Sequence, residues 1–324
     1  MRLLIQRRKY VKKSAPPIFL RALPIFSRSL TLAAVAVLVT AAIHAQTPAA
    51  STRQTPGPQA DGSILLPGGW TITPAGQQVP LSTLPMSLAV APGGRHVLAL
   101  NGGFLPPSIS VVDIASATET TRLPVEDAWL GLTFSKNGER VYVGGGASGK
   151  VFEFLYTEGK LSAGRAFAAV LPERRRATDF IGDVALSADG RFLYVANLFA
   201  DTVSVMNAET GFVVSEFKTG RRPYRLLPLP GGKLLISHWA EASVGLYDLA
   251  EGRLLERVPV GPRPTDMLLR PGEIEAIEGR PAIVARLFVA CANTNNVWVY
   301  GLTEGQRFHP MERIHVASTP GSPL

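Results

Sequence analysis

Short apolar stretches alternate with polar turns along residues 61–324, and the pattern recurs about every forty residues. In the clearest copy a turn at Asp189-Gly190 leads into the apolar stretch Phe192–Val195. A polar loop then precedes the alternating stretch Val203–Met206. The same pattern of turn, apolar stretch, polar loop and alternating stretch recurs at four other places: Gly94–Asp113, Gly138–Phe154, Gly232–Asp248 and Leu287–Tyr300. Short strands with this period predict an all-β protein, specifically a β-propeller of four-stranded blades.

The turn glycine aligns the copies and separates an inner strand, called a, from a strand b that follows the turn. Five inner strands are predicted: Leu88–Ala91, Leu132–Ser135, Val184–Ser187, Leu226–Leu229 and Met267–Arg270. Strands c and d complete each blade outward from the axis. β-Branched and aromatic residues dominate these stretches and suit sheets packed on both faces. Five full blades are therefore expected.

The ends of the repeat region predict an incomplete ring. Asp61–Leu66 and Trp70–Gly76 repeat the b-turn-c pattern, and Gln77–Leu81 is predicted as strand d, which gives a three-stranded partial blade. Thr319–Leu324 falls where another inner strand would begin. We expect a ring truncated at the C-terminus, with exposed sheet edges and low intrinsic stability.

Charge is concentrated at the N-terminus and predicts an export signal. Of the 33 Lys and Arg residues, eight precede Ser29, and the other 25 balance the 25 Asp and Glu residues. The apolar run Leu30–Ile43 follows and is short for a membrane span, and Ala45 offers a small residue for cleavage. Residues 1–45 are therefore predicted to be a signal peptide of Sec type. Arg7–Lys12 leaves a twin-arginine route open, and an uncleaved anchor is the alternative.

The expected mature chain is a neutral periplasmic or secreted protein with no stable membrane span. Residues 46–60 are rich in Pro, Thr, Ala and Gln and predict a flexible linker before the propeller at 61–324. A neutral body gives no bulk attraction to nucleic acid. With Cys291 as the one cysteine, no intramolecular disulfide is possible.

No catalytic, metal-binding or cofactor-binding motif is apparent, so no catalytic residue, metal ligand or cofactor is predicted. Four histidines follow the signal, and none has metal-like spacing: His96, His238, His309 and His315. Gly144–Gly146 lacks the Lys and Ser or Thr of a phosphate loop and is interpreted as a turn. Cys291 is expected to be a buried, inert thiol rather than a nucleophile.

One column of the repeat predicts a ligand site. The residue that begins each inner strand lies at the mouth of the central channel, where one loop from each blade converges. Five charged residues lie in or just before this column: Asp183, Arg222, Arg225, Arg263 and Asp266. Arginine offers forked donors to carboxylate or phosphate, so a small polar or anionic ligand or a peptide is expected there. The alternative is a solvated rim whose charges pair with one another.

The stretches Leu193–Val205 and Leu287–Val299 resemble the YVTN repeat family, the YncE-like or lactonase-type seven-bladed propellers. Gly62–Gly76, Pro106–Asp113 and Gly220–Leu226 are similar to the propeller half of exported bacterial proteins that join such a propeller to a phosphoesterase. This resemblance implies a seven-bladed ring and a phosphoesterase domain as a possible partner. It assigns no metal ligand or nucleophile to residues 61–324.

Three functions are compatible with the sequence. The leading hypothesis is an exported binding or scaffold module, the propeller part of a phosphoesterase-linked protein whose catalytic half would carry any hydrolase activity. The second is a lactonase-like hydrolase acting at the central funnel, which requires a clustered acid–base set there. The third is an envelope or surface structural repeat protein.

Overall fold

The computed structural model describes residues 55–73, 75–274 and 282–316, which fall in two compact units, Met1–Ala75 and Gly76–Leu324. The predicted signal peptide at 1–45 and the predicted linker as far as residue 54 lie outside the described residues. The described part is all-β apart from one 3-10 turn at Pro172–Arg174, which confirms the predicted fold class. Within it, no helix is long and apolar enough to span a membrane.

The first unit contains a three-stranded antiparallel sheet of two-residue strands, in the order β1 (Gly57–Pro58), β2 (Ile64–Leu65) and β3 (Thr71–Ile72). Strands β2 and β3 lie where the b-turn-c pattern predicts strands. The predicted strand at Gln77–Leu81 is absent, and that prediction was wrong. Pro80 has no N–H to donate to a ladder in that segment. The third strand is β1 instead, which lies inside the predicted linker.

The second unit contains five four-stranded antiparallel sheets, each formed by consecutive strands. Blade 1 comprises β4 (Pro85–Val90), β5 (His96–Asn101), β6 (Ser108–Asp113) and β7 (Thr118–Pro124). Blade 2 comprises β8 (Leu132–Phe134), β9 (Arg140–Gly144), β10 (Lys150–Thr157) and β11 (Lys160–Ala168). Blade 3 comprises β12 (Ile181–Leu186), β13 (Phe192–Asn197), β14 (Thr202–Asn207) and β15 (Val213–Lys218).

Blades 4 and 5 continue the same order. Blade 4 comprises β16 (Pro223–Leu229), β17 (Lys233–His238), β18 (Ser243–Asp248) and β19 (Arg253–Pro259). Blade 5 comprises β20 (Pro264–Ile274), β21 (Ile283–Cys291), β22 (Asn296–Thr303) and β23 (Phe308–His315). The inner strands β4, β8, β12, β16 and β20 contact one another in this order. The five predicted full blades are confirmed.

Apolar cores lie between blades, because each sheet alternates its side chains between two neighbours. In blade 3, Leu193 and Val195 pack toward blade 2, whereas Tyr194 and Ala196 pack toward blade 4. Each of the four hydrophobic clusters joins residues of two consecutive blades. No cluster belongs to one blade, so each blade depends on its neighbours for burial.

Blades 1 and 5, at the two ends of the series of five blades, expose apolar side chains whose equivalents in the other blades are buried. Leu132, Val184 and Leu226 begin the apolar part of their inner strands and are buried against the preceding blade. The equivalent Leu88 of blade 1 is 67% exposed. On the opposite face, Leu268 of blade 5 is 63% exposed. Burial of these side chains requires a further sheet on each side.

Gly211 offers a direct test of packing between blades. It turns between β14 and β15 with φ +76°, and a Cβ there would lie 1.9 Å from Cδ1 of Phe167 in blade 2. Gly211→Ala therefore combines a left-handed backbone cost of about 1–2 kcal/mol with overpacking of about 1–3 kcal/mol. Urea unfolding of wild type and variant measures the sum.

Gly231→Ala is the matched control. Gly231 has the same φ of +76°, but a Cβ there meets nothing within 4 Å. Only the backbone cost of about 1–2 kcal/mol is expected. Equal losses of unfolding free energy in the two variants would show that the contact between blades 2 and 3 is not close at Gly211.

Candidate functional site

Four of the five inner strands, β4, β12, β16 and β20, carry a β-bulge near their first residues, and the predicted charged residues lie at or beside these bulges. The register of β12 against β13 shifts between Ile181 and Val184, and that of β16 against β17 shifts between Pro223 and Leu226. These four strands consequently begin three residues before their predicted starts, whereas β8 begins at Leu132, as predicted. A bulge redirects the side chains at its unpaired residues. Asp183 and Arg225 are such residues.

Asp183, Arg225 and Asp266 form a single ionic cluster contributed by three consecutive blades. Arg225 places Nη1 at 3.2 Å from Oδ1 of Asp183 and Nε at 3.0 Å from Oδ1 of Asp266. The second oxygen of Asp183 accepts a 2.8 Å hydrogen bond from the N–H of Leu226. The guanidinium therefore bridges two carboxylates, and the cluster carries one excess negative charge.

The two carboxylates differ in solvent access. The Asp183 side chain is 5% exposed, whereas that of Asp266 is 62% exposed. Burial raises the pKa of Asp183, although the charge of Arg225 and the hydrogen bond from Leu226 oppose the rise. The Asp183 charge in turn raises the pKa of Arg225, so the guanidinium stays protonated. Asp183 thus holds Arg225 from within the protein, and Asp266 presents a carboxylate to solvent.

A cavity of about 520 Å³ adjoins this cluster at the centre of the second unit. Ser87 of β4 lines one side, Arg225 and Asp266 line another, and Tyr224 and Thr265 complete its polar surface. Because β4, β16 and β20 belong to blades 1, 4 and 5, this cavity is the central channel. Its volume lies within the range that small ligands occupy.

Arg222 and Arg263 lie at the same end of the inner strands but do not join the cluster. Both precede a proline and adopt a left-handed backbone, with φ of 60° and 55°. The Arg222 guanidinium lies 4.3 Å from the ring centre of Phe199, and that of Arg263 lies 4.7 Å from Trp239. Of the five predicted residues, three converge on the channel. Arg222 and Arg263 instead pack against aromatic rings of the preceding blade.

The sequence argument missed Phe199 and Trp239, which hold the two arginines. Each aromatic residue lies in the loop after a strand b: Phe199 follows β13 and Trp239 follows β17. A recurring aromatic residue in that loop, with an Arg-Pro pair about twenty residues later, is the signal available in the sequence. It becomes informative only once the loops are known to be adjacent.

The buried histidines serve the scaffold. Burial lowers the pKa of His238 to about 4, so its ring is neutral near pH 7. Its Nδ1 lies 3.0 Å from Oγ of Ser243, and its Nε2 lies 3.1 Å from the hydroxyl of Tyr247. His96 pairs with the Tyr156 hydroxyl at 2.9 Å. Neither histidine lines the channel cavity.

Cys291 is buried, and burial raises its thiol pKa to about 11. A thiol with this pKa is protonated near pH 7 and is a poor nucleophile. It occupies the strand-b position at which Asn197 donates to Thr202 and Ser204 of strand c. Across the described residues, no three His, Cys, Asp or Glu side chains group as metal ligands would.

Comparison with known proteins supports the fold. Residues 131–256, from blade 2 into the last strand of blade 4, match the family model described as lactonase, seven-bladed β-propeller. No curated protein matches the chain.

Solved structures share the architecture at low sequence identity. A protein from Lactobacillus plantarum superposes with a TM-score of 0.56 at 17% identity, covering 78% of this chain and 77% of that one. A protein from Desulfotomaculum acetoxidans gives 0.53 at 15% identity, covering 69% and 70%. The Kuenenia stuttgartiensis hydrazine synthase gives 0.51 at 17% identity, covering 70% and 65%. At such identities the likeness concerns the fold alone.

Removal of Arg225 tests the ionic cluster. Arg225→Met leaves the buried Asp183 carboxylate without its counter-charge, at a cost of about 3–5 kcal/mol of unfolding free energy at pH 7. Below the ordinary Asp pKa of 3.8 the carboxyl is neutral in folded and unfolded chains, so the loss is smaller there. The difference grows as pH rises above 3.8, because the folded state binds the proton more tightly. Urea unfolding at pH 3 and pH 7 measures both losses.

Two controls separate charge from packing in that measurement. Asp183→Asn combined with Arg225→Met removes both charges and is expected to recover most of the loss. Asp266→Asn removes the exposed carboxylate and is expected to cost less than about 1 kcal/mol. A loss in Arg225→Met that is the same at both pH values would contradict the assigned role of Asp183.

Proposed function

We propose that this chain, a lactonase-like β-propeller, is an exported binding module that holds a small polar ligand or a peptide at its central channel. The observation that carries the proposal is the asymmetry of the ionic cluster. Asp183 and Leu226 fix Arg225 from the buried side, and the exposed Asp266 carboxylate faces the channel. A charged group held in place by buried partners is pre-organised for binding.

The geometry favours ligands that carry an amino group. Nε and Nη1 of Arg225 each pair with a carboxylate, so the positive charge of this arginine is already compensated within the cluster. Asp266 has one oxygen bonded to Arg225 and to the N–H of Met267, and its side chain is largely exposed. With one excess negative charge, the cluster attracts a cationic or zwitterionic group. A strictly anionic ligand is disfavoured at this position.

Binding is favoured over hydrolysis by the state of the channel carboxylates. A general base must reach the proton that it removes. Asp183 is buried and uses its oxygens on Arg225 and Leu226, whereas Asp266 is tied to Arg225. The lactonase-like alternative would require Asp266 to act as the base in a solvated channel. Hydrolysis of a simple lactone by wild type and its loss in Asp266→Asn would favour that alternative.

A phosphoesterase link and export complete the proposal. Support for both comes from the sequence: the similarity of Gly62–Gly76 and Gly220–Leu226 to propeller–phosphoesterase proteins, and the basic and apolar segments before Ala45. In this arrangement the propeller holds a ligand or partner, and a linked phosphoesterase domain performs chemistry. A reading frame for such a domain adjoining the gene, or fused to it, is the expected genomic finding.

Trilysine is a suitable first probe of the channel. We expect the purified chain to bind trilysine, and Asp266→Asn to weaken binding about tenfold, because an amine–carboxylate contact is lost. Isothermal titration calorimetry measures both affinities. Glu126→Gln is the matched control, since Glu126 is similarly exposed and pairs with Lys150 outside the channel. Equal affinities of Asp266→Asn and wild type would end the channel proposal.

Export is tested separately. Expression of the full chain in a bacterium, followed by mass spectrometry, is expected to find a mature N-terminus near Gln46 in the periplasm or medium. Replacement of two apolar residues within Leu30–Ile43 by Asp should leave the full-length chain in the cytoplasm, because a signal peptide needs an apolar core. A wild-type chain that keeps Arg2–Arg28 in the envelope fraction would indicate an anchor.

A further inference from the structure

A second polar depression lies on the rim, separate from the channel cavity. It is an open groove of about 760 Å³ formed by three segments: the loop before β16, the loop between β17 and β18, and the end of blade 4 with the loop before β20. Arg221, Arg257 and Arg263 line it together with Glu241 and Trp239. Neither Arg225 nor Asp266 belongs to its lining. Three arginines against one glutamate leave two excess positive charges.

The arginines of this groove are not equally engaged. Arg257 pairs closely with Glu241, and Arg221 donates to the carbonyl of Ala240 at 3.0 Å. Glu241 also lies 3.9 Å from Nε of Arg221. The single carboxylate therefore serves both arginines. Burial alone would raise the pKa of Glu241, but hydrogen bonds from the backbone N–H of Arg221 and from the side chain of Arg257 lower it, so it remains ionised.

Arg263 is the arginine of this groove whose side chain pairs with no carboxylate among the described residues. Its guanidinium lies 4.7 Å from the ring centre of Trp239, and among the described residues its side chain has neither a carboxylate nor a hydrogen-bond partner. Trp239 in turn stacks with Tyr224 at 6.4 Å between ring centres. An arginine held against a tryptophan ring is already partly immobilised and loses little further entropy when it binds a ligand. Such an arginine is ready to bind a carboxylate through two parallel hydrogen bonds.

The backbone at Arg263 fixes this position. Its φ of 55° is a conformation that residues other than glycine seldom adopt, and the following Pro264 restricts the turn further. The carbonyl of Arg263 accepts a 3.0 Å hydrogen bond from the N–H of Ala292 in blade 5. The side chain thus leaves a fixed turn toward the tryptophan of blade 4, across the boundary between the two blades.

We propose that this rim groove binds an acidic peptide segment, with Arg263 as the anchor for one carboxylate and Arg221 or Arg257 for a second. The excess of two positive charges matches two carboxylates. The groove is larger than one carboxylate needs, and it is open, so a chain can lie along it. Aromatic and arginine side chains together are typical of the energetic centres of protein–peptide contacts. This site is separate from the channel cavity. It favours a negatively charged ligand, whereas the channel cluster favours a positively charged group.

A fluorescein-labelled hexaglutamate peptide tests the proposal by anisotropy with the purified full chain. Wild type is expected to bind it with an affinity that falls as salt rises, because exposed charges are screened. Arg263→Ala should weaken binding about tenfold, since a charge-assisted forked contact is lost. Arg263→Lys should give a smaller loss, because the charge remains and the fork does not.

Arg222→Ala is the matched control. Arg222 shares the positive φ, the following proline and the cation–π contact of Arg263, but it does not line the groove. The two alanine variants should therefore lose similar stability in urea, while only Arg263→Ala loses hexaglutamate binding. Equal weakening in both variants would show that blade packing, and not a ligand contact, explains the effect, and the proposal would fail.

Competition identifies the ligand class. Unlabelled hexaglutamate should displace the probe at concentrations at least tenfold below those of glutarate or inorganic phosphate, because two anchored carboxylates on one chain bind jointly. Displacement by glutarate or phosphate at the same concentrations would show that the groove binds simple anions and is not a peptide site. Loss of hexaglutamate binding in Asp266→Asn, with binding retained in Arg263→Ala, would place the binding in the channel and overturn the assignment to the rim.

Discussion

Burial between neighbouring sheets is the interaction on which the structure of the second unit depends. A blade of four short strands buries little within itself, because its two faces point to different neighbours. The cores therefore form at the boundaries, as the alternation of Val195 and Ala196 between two clusters illustrates. Close contacts such as Gly211 on Phe167 occur at these boundaries. The inner strands are consequently held at fixed separation, and this spacing brings Asp183, Arg225 and Asp266 together.

The repeat made the blades predictable, because a turn glycine and alternating apolar residues specify strands locally. The sheet at the N-terminus was less predictable. Its strands have two residues each, and their pairing, such as that of Gly57 with Leu65, leaves almost no alternation to detect. Gln77–Leu81 contains the apolar residues Val79 and Leu81, but Pro80 has no backbone N–H to donate to a neighbouring strand. The segment lies outside the sheets. Short elements depend on pairing partners more than on their own sequence.

The channel cluster was predictable for a similar reason, whereas the position of the two other arginines was not. Equivalent positions of a repeat occupy equivalent places in the ring, so Asp183, Arg225 and Asp266 had to lie close together. Arg222 and Arg263 precede this column by only a few residues, but their left-handed backbone turns them onto aromatic rings. No sequence period encodes that change of direction. The result is two chemically distinct surfaces, an acidic channel and a basic rim, within one set of loops.

The exposed faces of blades 1 and 5 carry a consequence for symmetry. Leu88 faces the side on which a preceding blade would lie, and Leu268 faces the side of a following blade, so the two surfaces are different and complementary in direction. A two-fold axis pairs identical surfaces, and it cannot bring one of these faces against the other. Association of copies through them is heterologous, blade 5 of one chain against blade 1 of the next. Such contacts propagate as a ring or filament, and covering both faces within one molecule is what prevents this growth.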